Sequence, residues 1–233
     1  SFEKILPLSE RSQRDFLDLP DLKNRLLTYT HWVDQTIFSP PKDRSRLKEK
    51  YGFVNAFVVL FVGKFYETKV GNLLEAAKGL PSDIKILLIG SGPLETKLRR
   101  VSKEIASIVF VGKVSLDQLV EYYGLADLFI IPSVPGHGGH EEGFARVIVE
   151  ALSCGTPVVV SKVGCLPDAV RPSVGRVVNP ASQEIYEQIL RLYKNPAELN
   201  TMRRNCRSYA VERFSERNAE LIENVLVEAS RNA

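Results

Sequence analysis

The chain has 233 residues, 44% of them hydrophobic and 25% charged, with a formal net charge of +3. That length can bury a substantial core, and the composition is globular rather than fibrous or disordered. Lys and Arg are interleaved with Asp and Glu, which argues against a nucleic-acid partner held by bulk electrostatics. The longest apolar runs, Phe57 to Val62 and Leu128 to Ile131, fall far short of the roughly 18 residues that span a bilayer. The first residues lack the basic start and long apolar stretch of a secretory signal, so the expected location is the cytoplasm, with peripheral membrane contact left open. Cys154, Cys165 and Cys206 form no CxxC pair and are read as buried or incidental thiols.

Residues 1–28 hold one short apolar run, Ile5-Leu6, then a polar helix-like stretch from Glu10, and have no sheet of their own. They read as a fragment of a preceding domain. Residues 29–50, with Ser39-Pro40-Pro41 and a run of charges, suit a linker. A main domain is expected over 51–210, where short Val/Ile/Leu runs alternate with amphipathic segments. Strands are predicted at 57–62, 84–89, 108–111, 128–131, 158–160 and 176–178. Helices are predicted at about 70–80, 94–104, 115–126, 144–154, 182–194 and 196–209. Ser115 with Gln118 fits a capping box, and Pro93 suits a first helical turn. The pattern is repeated β-α, hence an α/β, Rossmann-like, doubly wound parallel sheet. Residues 211–233 form a last helix from about Ser215, with Leu221, Ile222, Val225, Leu226 and Ala229 on one stripe that needs a partner surface.

In such a sheet, ligands bind at the carboxyl ends of the strands. The first loop there, Gly63-Lys64-Phe65-Tyr66-Glu67-Thr68-Lys69, combines a glycine that permits close backbone approach with two lysines leading into a helix, a diphosphate-like environment. Two solvated surface lysines would produce the same short pattern. The second loop, Gly90-Ser91-Gly92-Pro93, lacks the third glycine of a dinucleotide fingerprint and reads as a turn. The third, from Pro132 to Ala145, carries His137, His140, Glu141 and Glu142; the intervening glycines and the missing third ligand argue against a metal site. Glu142 and, seven residues between them, Glu150 would face a ligand lying over a helix start, with the backbone amides near Gly143, Phe144 and Ala145 aimed at the same place. Carboxylates that accept hydroxyl hydrogen bonds beside an anion-binding helix end suit a sugar nucleotide.

The stretch Pro132-Ser133, followed by Glu142-Gly143-Phe144-Ala145-Arg146-Val147-Ile148-Val149-Glu150-Ala151-Leu152-Ser153-Cys154-Gly155-Thr156-Pro157-Val158-Val159, resembles the signature of glycosyltransferase family 4, retaining enzymes of the GT-B fold. The likeness extends over about 28–230: Tyr29 to Pro40 resembles the entry into the C-terminal domain, and Val109-Phe110-Val111-Gly112 the strand and loop near the nucleotide base. Val174 to Pro180 and the closing Phe214-Ser215 helix also have counterparts. The resemblance implies a nucleotide-sugar donor held by Gly63, Lys64, Lys69, Gly112, Val114, Glu142, Gly143, Phe144, Ala145 and Glu150. Lys64 and Lys69 would bind the diphosphate, Glu142 the donor sugar and Glu150 the ribose, with no metal or other cofactor. Lys64 stands where arginine is usual, Ala145 and Arg146 replace a glycine and a small apolar residue, and Lys69-Val70-Gly71 places one residue between Lys and Gly where the family usually has none. Cys165 replaces a glycine and Asp168 a glutamate.

The reading is a hexosyltransferase-type enzyme whose chain carries the donor site, with an unassigned acceptor (saccharide, lipid or small molecule). Residues 1–28 would be the end of an N-terminal GT-B domain, the rest of which supplies acceptor recognition and completes catalysis. A non-catalytic donor-binding or docking half is the alternative, and a sugar-nucleotide epimerase on the same fold ranks below both.

Overall fold

The apolar run at Phe57 has no alternation of polar and apolar residues, and it forms the centre of the sheet. A computed structural model describes residues 4–14, 16–19, 21–136 and 142–231. In it, β1 (Phe57–Lys64), β2 (Ile84–Ser91), β3 (Ile108–Gly112), β4 (Leu128–Ile131), β5 (Val158–Ser161) and β6 (Gly175–Val178) make one parallel sheet in the order β3-β2-β1-β4-β5-β6. This is the doubly wound order, with its reversal between β1 and β4.

Burial on both faces explains the continuous apolar strands, because successive side chains enter different cores. Leu60, Leu87, Phe129 and Val160 join a core with α5 (Leu116–Leu125), α6 (Arg146–Ser153) and α8 (Pro196–Arg213). Phe61, Leu88, Ile130 and Val159 join the other, beneath α3 (Glu67–Ala77), α4 (Glu95–Glu104) and α7 (Ser182–Lys194). The expected capping box on α5 is present: Ser115 Oγ accepts from the Gln118 amide at 3.3 Å, and Gln118 Oε1 accepts from the Ser115 amide at 3.1 Å.

Several expected boundaries shift. The helix predicted from 70 begins at Glu67, one turn earlier, because the buried stripe Val70, Leu73, Leu74 and Ala77 continues a turn already started beside the strand end. Pro93 lies in the turn ahead of α4, not in its first turn. Ahead of the sheet, α1 (Glu10–Arg14) is short; the first segment forms a β-bridge, Ile5 to Leu26, and reaches the main domain through the Arg11 amide, which donates to Asp168 Oδ2 at 3.0 Å, and Ser9 Oγ, which donates to Cys165 Sγ at 3.1 Å. The stretch read as linker contains a helix, α2 (Arg44–Lys50), capped by Asp43, whose side chain accepts from the Arg46 amide. At the end of the chain, α9 (Arg217–Arg231) has no buried residue, and Leu226 is 63% exposed. No helix among the described residues is long and apolar enough to cross a membrane.

Charge, not apolar contact alone, fastens α2 to the sheet. Asp127, at the entry to β4, takes Arg44 at 2.5 Å and Lys48 at 2.6 Å on its two oxygens and also accepts from the Val58 amide at 2.8 Å. Burial lowers the Lys48 pKa and Asp127 opposes that shift. Removing the acid strands two cations and a buried amide. Asp127→Ala is therefore expected to lower the unfolding free energy by about 2–3 kcal/mol, read from urea denaturation; a midpoint equal to the parent's would contradict the assignment.

Candidate functional site

The chain reversal between β1 and β4 opens a crevice at their carboxyl ends, where the flanking loops diverge. Into it project residues from the β1–α3 and β4–α6 connections. Lys64 is the last residue of β1 and is exposed, and Lys69 lies in the first turn of α3. Both were expected in the connecting loop; they are instead borne by the ends of regular elements, which limits their movement. Glu142 precedes the start of α6.

Glu142 is fixed on three sides. Lys69 Nζ donates to Oε1 at 2.9 Å and Ser133 Oγ donates to Oε2 at 3.1 Å, while the Glu142 carbonyl accepts from the Cys165 amide at 3.1 Å. Ser133 is buried and follows β4; Cys165 follows β5. The third support demands a glycine. Gly164 has φ +53°, and a Cβ there would sit 1.9 Å from the Glu142 carbonyl oxygen. The first loop is built in a similar way on the second: a Cβ at Gly90, φ +138°, would meet the Gly63 carbonyl oxygen at 1.9 Å. The turn at Gly90 thus has a purpose that its own sequence did not reveal, which is to let the Gly63 backbone pass.

Between these supports lies a cavity of about 250 Å³. Gly63, Lys64, Lys69, Glu142, Ala145 and Arg146 line it, over a floor that includes Phe61, Val62 and Ile131. Three cations therefore face one carboxylate. α6 enters without a side-chain cap on its N-terminus, and no acceptor among the described residues takes the amides of Gly143, Phe144 or Ala145. An uncapped helix start beside three cations favours a negatively charged ligand.

The other expected residues are divided. Phe144 turns its ring away from the cavity, edge-on to His31 at 5.1 Å and to Phe214 at 5.9 Å. Gly143 is exposed and its side has open space. Glu150 does not line the cavity; it lies one turn further along α6, where Tyr123 donates to its Oε2 at 2.7 Å. Burial raises the Glu150 pKa, against the Tyr123 hydrogen bond and the charge of Arg146. Gly112 ends β3 and Val114 follows it, on the far side of β2 from the switch point, and both are outside the cavity; Val114 packs against the core that contains Tyr123.

Four participants were missed from sequence. Arg146 had been noted only as a departure from the family pattern; its signal was a cation one residue past a helix cap. Ser133 was visible as a hydroxyl just after a strand. Gly164 offered no signal without the strand order. His31 carries a pKa lowered by burial and by Arg146, and nothing local marks it. The stretch from His137 to Glu141 lies outside the described residues. Among the described residues, no group of three or more His, Cys, Asp or Glu is placed to hold a metal.

Fold and site together define a crevice at the carboxyl ends of β1 and β4 lined by three cations, and the relationships of the chain make the class specific. Residues 43–213 match the family model of glycosyl transferases group 1, and the chain belongs to that family. It is 29% identical over 174 residues to the GDP-mannose-dependent monoacylated alpha-(1-6)-phosphatidylinositol monomannoside mannosyltransferase of Corynebacterium glutamicum, covering 70% of this chain and 46% of that protein. It is 37% identical over 153 residues to a D-inositol 3-phosphate glycosyltransferase of Mycobacterium sp. (strain KMS), covering 61% of this chain and 33% of the relative. The chain thus spans less than half the length of these curated relatives. Its fold matches that of Anabaena Alr3699/HepE in complex with UDP, with a TM-score of 0.83 and 23% identity over 97% of this chain and 64% of the other.

The close approach at Gly164 can be tested directly. Gly164→Ala combines a left-handed φ with a clash against backbone, so it is expected to cost about 1–3 kcal/mol in urea denaturation and to displace Glu142 from Lys69 in a crystal structure. Parent-like stability with Glu142 in place would contradict the role given to this glycine.

Proposed function

We propose that this chain carries the donor site of a retaining, family 4 glycosyltransferase of the GT-B type, which moves a sugar from a nucleoside diphosphate to an acceptor hydroxyl. The observation that carries this reading is the convergence of Lys64, Lys69 and Arg146 on one cavity opposite Glu142. A diphosphate is a compact double anion, and such a cavity matches it in charge and place. In this reading the diphosphate takes Lys69 from Glu142. Their ion pair is only partly buried, so its loss costs about 1 kcal/mol or less. The released carboxylate then accepts hydrogen bonds from hydroxyls of the donor sugar, with Ser133 still holding its other oxygen.

The chemical demand falls on the leaving group. The bond from anomeric carbon to diphosphate oxygen breaks with its electron pair staying on that oxygen, while the acceptor hydroxyl forms the new bond and gives up its proton to the departing diphosphate. Preorganised cations and helix-end amides stabilise the developing negative charge without a metal ion. Glu150, further along α6, would receive the ribose, and Gly112 and Val114 would border the base. Retention rests on the resemblance to family 4, and product anomeric configuration measured by NMR on the full-length enzyme tests it: an inverted product would overturn that part.

The alternative, a donor-binding half that docks on a separate N-terminal-type partner, is favoured by the exposed α9 face. Acceptor recognition belongs to an N-terminal GT-B domain in both cases. A longer natural reading frame with full activity separates them. For the donor site, titration calorimetry with UDP and with GDP is expected to show binding of at least one, weakened about tenfold or more by Lys69→Ala through loss of a charge-assisted contact. Binding unchanged in that variant, or absent for both nucleotides, would overturn the site.

A further inference from the structure

Tyr123 is wholly buried, the largest side chain in the core to be so. Its ring packs edge-on to Phe129 at 5.6 Å and Phe38 at 6.2 Å, and its carbonyl accepts from Thr156 Oγ1 at 2.6 Å. A phenylalanine would satisfy every one of these contacts. The hydroxyl alone distinguishes tyrosine here, and its partner is the carboxylate of Glu150, at 2.7 Å.

We propose that Tyr123 is a positioning residue for the donor site: its hydroxyl pins one oxygen of Glu150 so that the other is presented to the ribose of the nucleotide. This rests on the reading above that Glu150 faces the ribose. Geometry supports the division between the two oxygens. Oε2 is taken by Tyr123, whereas no donor among the described residues takes Oε1. A carboxylate free on both oxygens would rotate about its last bond and lose that freedom on binding; one held by a rigid aromatic has already lost it.

The same contact governs charge. Burial holds the phenol far above its ordinary range, so it stays protonated and can only donate to the carboxylate. Burial also raises Glu150, and the Tyr123 hydrogen bond and Arg146 pull it back. The groups facing Glu150 are Tyr123 on α5, Arg146 on α6, Cys154 just past the end of α6, and, acting on Cys154, Arg207 on α8. Removing the hydroxyl therefore raises the Glu150 pKa. The ionised carboxylate, the better acceptor for ribose hydroxyls, is then lost at a higher pH.

Calorimetric titration of the 233-residue chain with UDP or GDP, whichever binds, and with its 2′,3′-dideoxy analogue, across acidic to neutral pH, tests this. The parent is expected to prefer the ribose form, and Glu150→Ala to remove that preference. Tyr123→Phe is expected to reduce the preference about threefold or more at neutral pH and to raise the pH at which it disappears. Equal weakening toward both ligands with an unmoved pH midpoint would show a merely structural tyrosine and overturn the proposal. A preference intact in Glu150→Ala would remove the reading beneath it and the proposal together. If Tyr123→Phe lowers the melting temperature until the fold is lost, 3-fluorotyrosine introduced at position 123 keeps the shape and donates more strongly; the midpoint should then fall, and an unchanged midpoint overturns the proposal.

Discussion

Glu142 is held by a lysine from the turn after β1, a serine from the turn after β4 and a backbone amide from the turn after β5. These three turns are neighbours only because the sheet reverses its order between β1 and β4. Everything else at the crevice depends on this meeting. The carbonyl contact requires Gly164, since any side chain there would overlap the Glu142 backbone. The carboxylate contacts require Lys69 to stand in the first turn of α3, which the buried stripe of that helix enforces. A parallel sheet buried on both faces is thus more than a scaffold, because its strand order decides which distant residues become adjacent.

Rigidity around the crevice comes from several sources that act on different parts. The two cores clamp the strands, and Asp127 ties α2 to the centre of the sheet through two cations and a backbone amide. Arg207 extends the same fastening, donating to the carbonyls of Phe38, Ser153 and Gln35. These contacts leave the cations of the cavity comparatively unencumbered. Lys64 is exposed, Arg146 is exposed, and Lys69 is engaged by a partner that a stronger anion can replace. A site of this kind keeps its positive charge in place at little conformational cost.

Much of this was readable from residue order. Apolar runs without alternation marked β1, β4 and β5, because burial on both faces leaves no polar side. Ser115 and Gln118 announced the start of α5. The spacing from Glu142 to Glu150 placed one just before α6 and the other within it. What escaped reading was information that the chain stores at long range. The helix at Arg44–Lys50 looked like a charged linker because its stabilising partner, Asp127, is far away in sequence. Gly164 and Gly90 are ordinary turn glycines until the backbone beside each is known. Lys64 and Lys69 looked like loop residues because β1 runs on to Lys64 beside β2 and one more turn of α3 at Glu67 depends on packing, not on a local cap. Glu150 was grouped with Glu142 by spacing, yet the two face different neighbours, Tyr123 for one and Lys69 for the other.

The central claim is that the Lys69–Glu142 pair marks the seat of a nucleotide's diphosphate. A crystal structure of the chain with bound UDP or GDP measures this most directly. The account predicts a phosphate oxygen within hydrogen-bonding distance of Lys69 Nζ, and Lys69 parted from Glu142. A nucleotide bound elsewhere, or one bound with that ion pair intact, would contradict it.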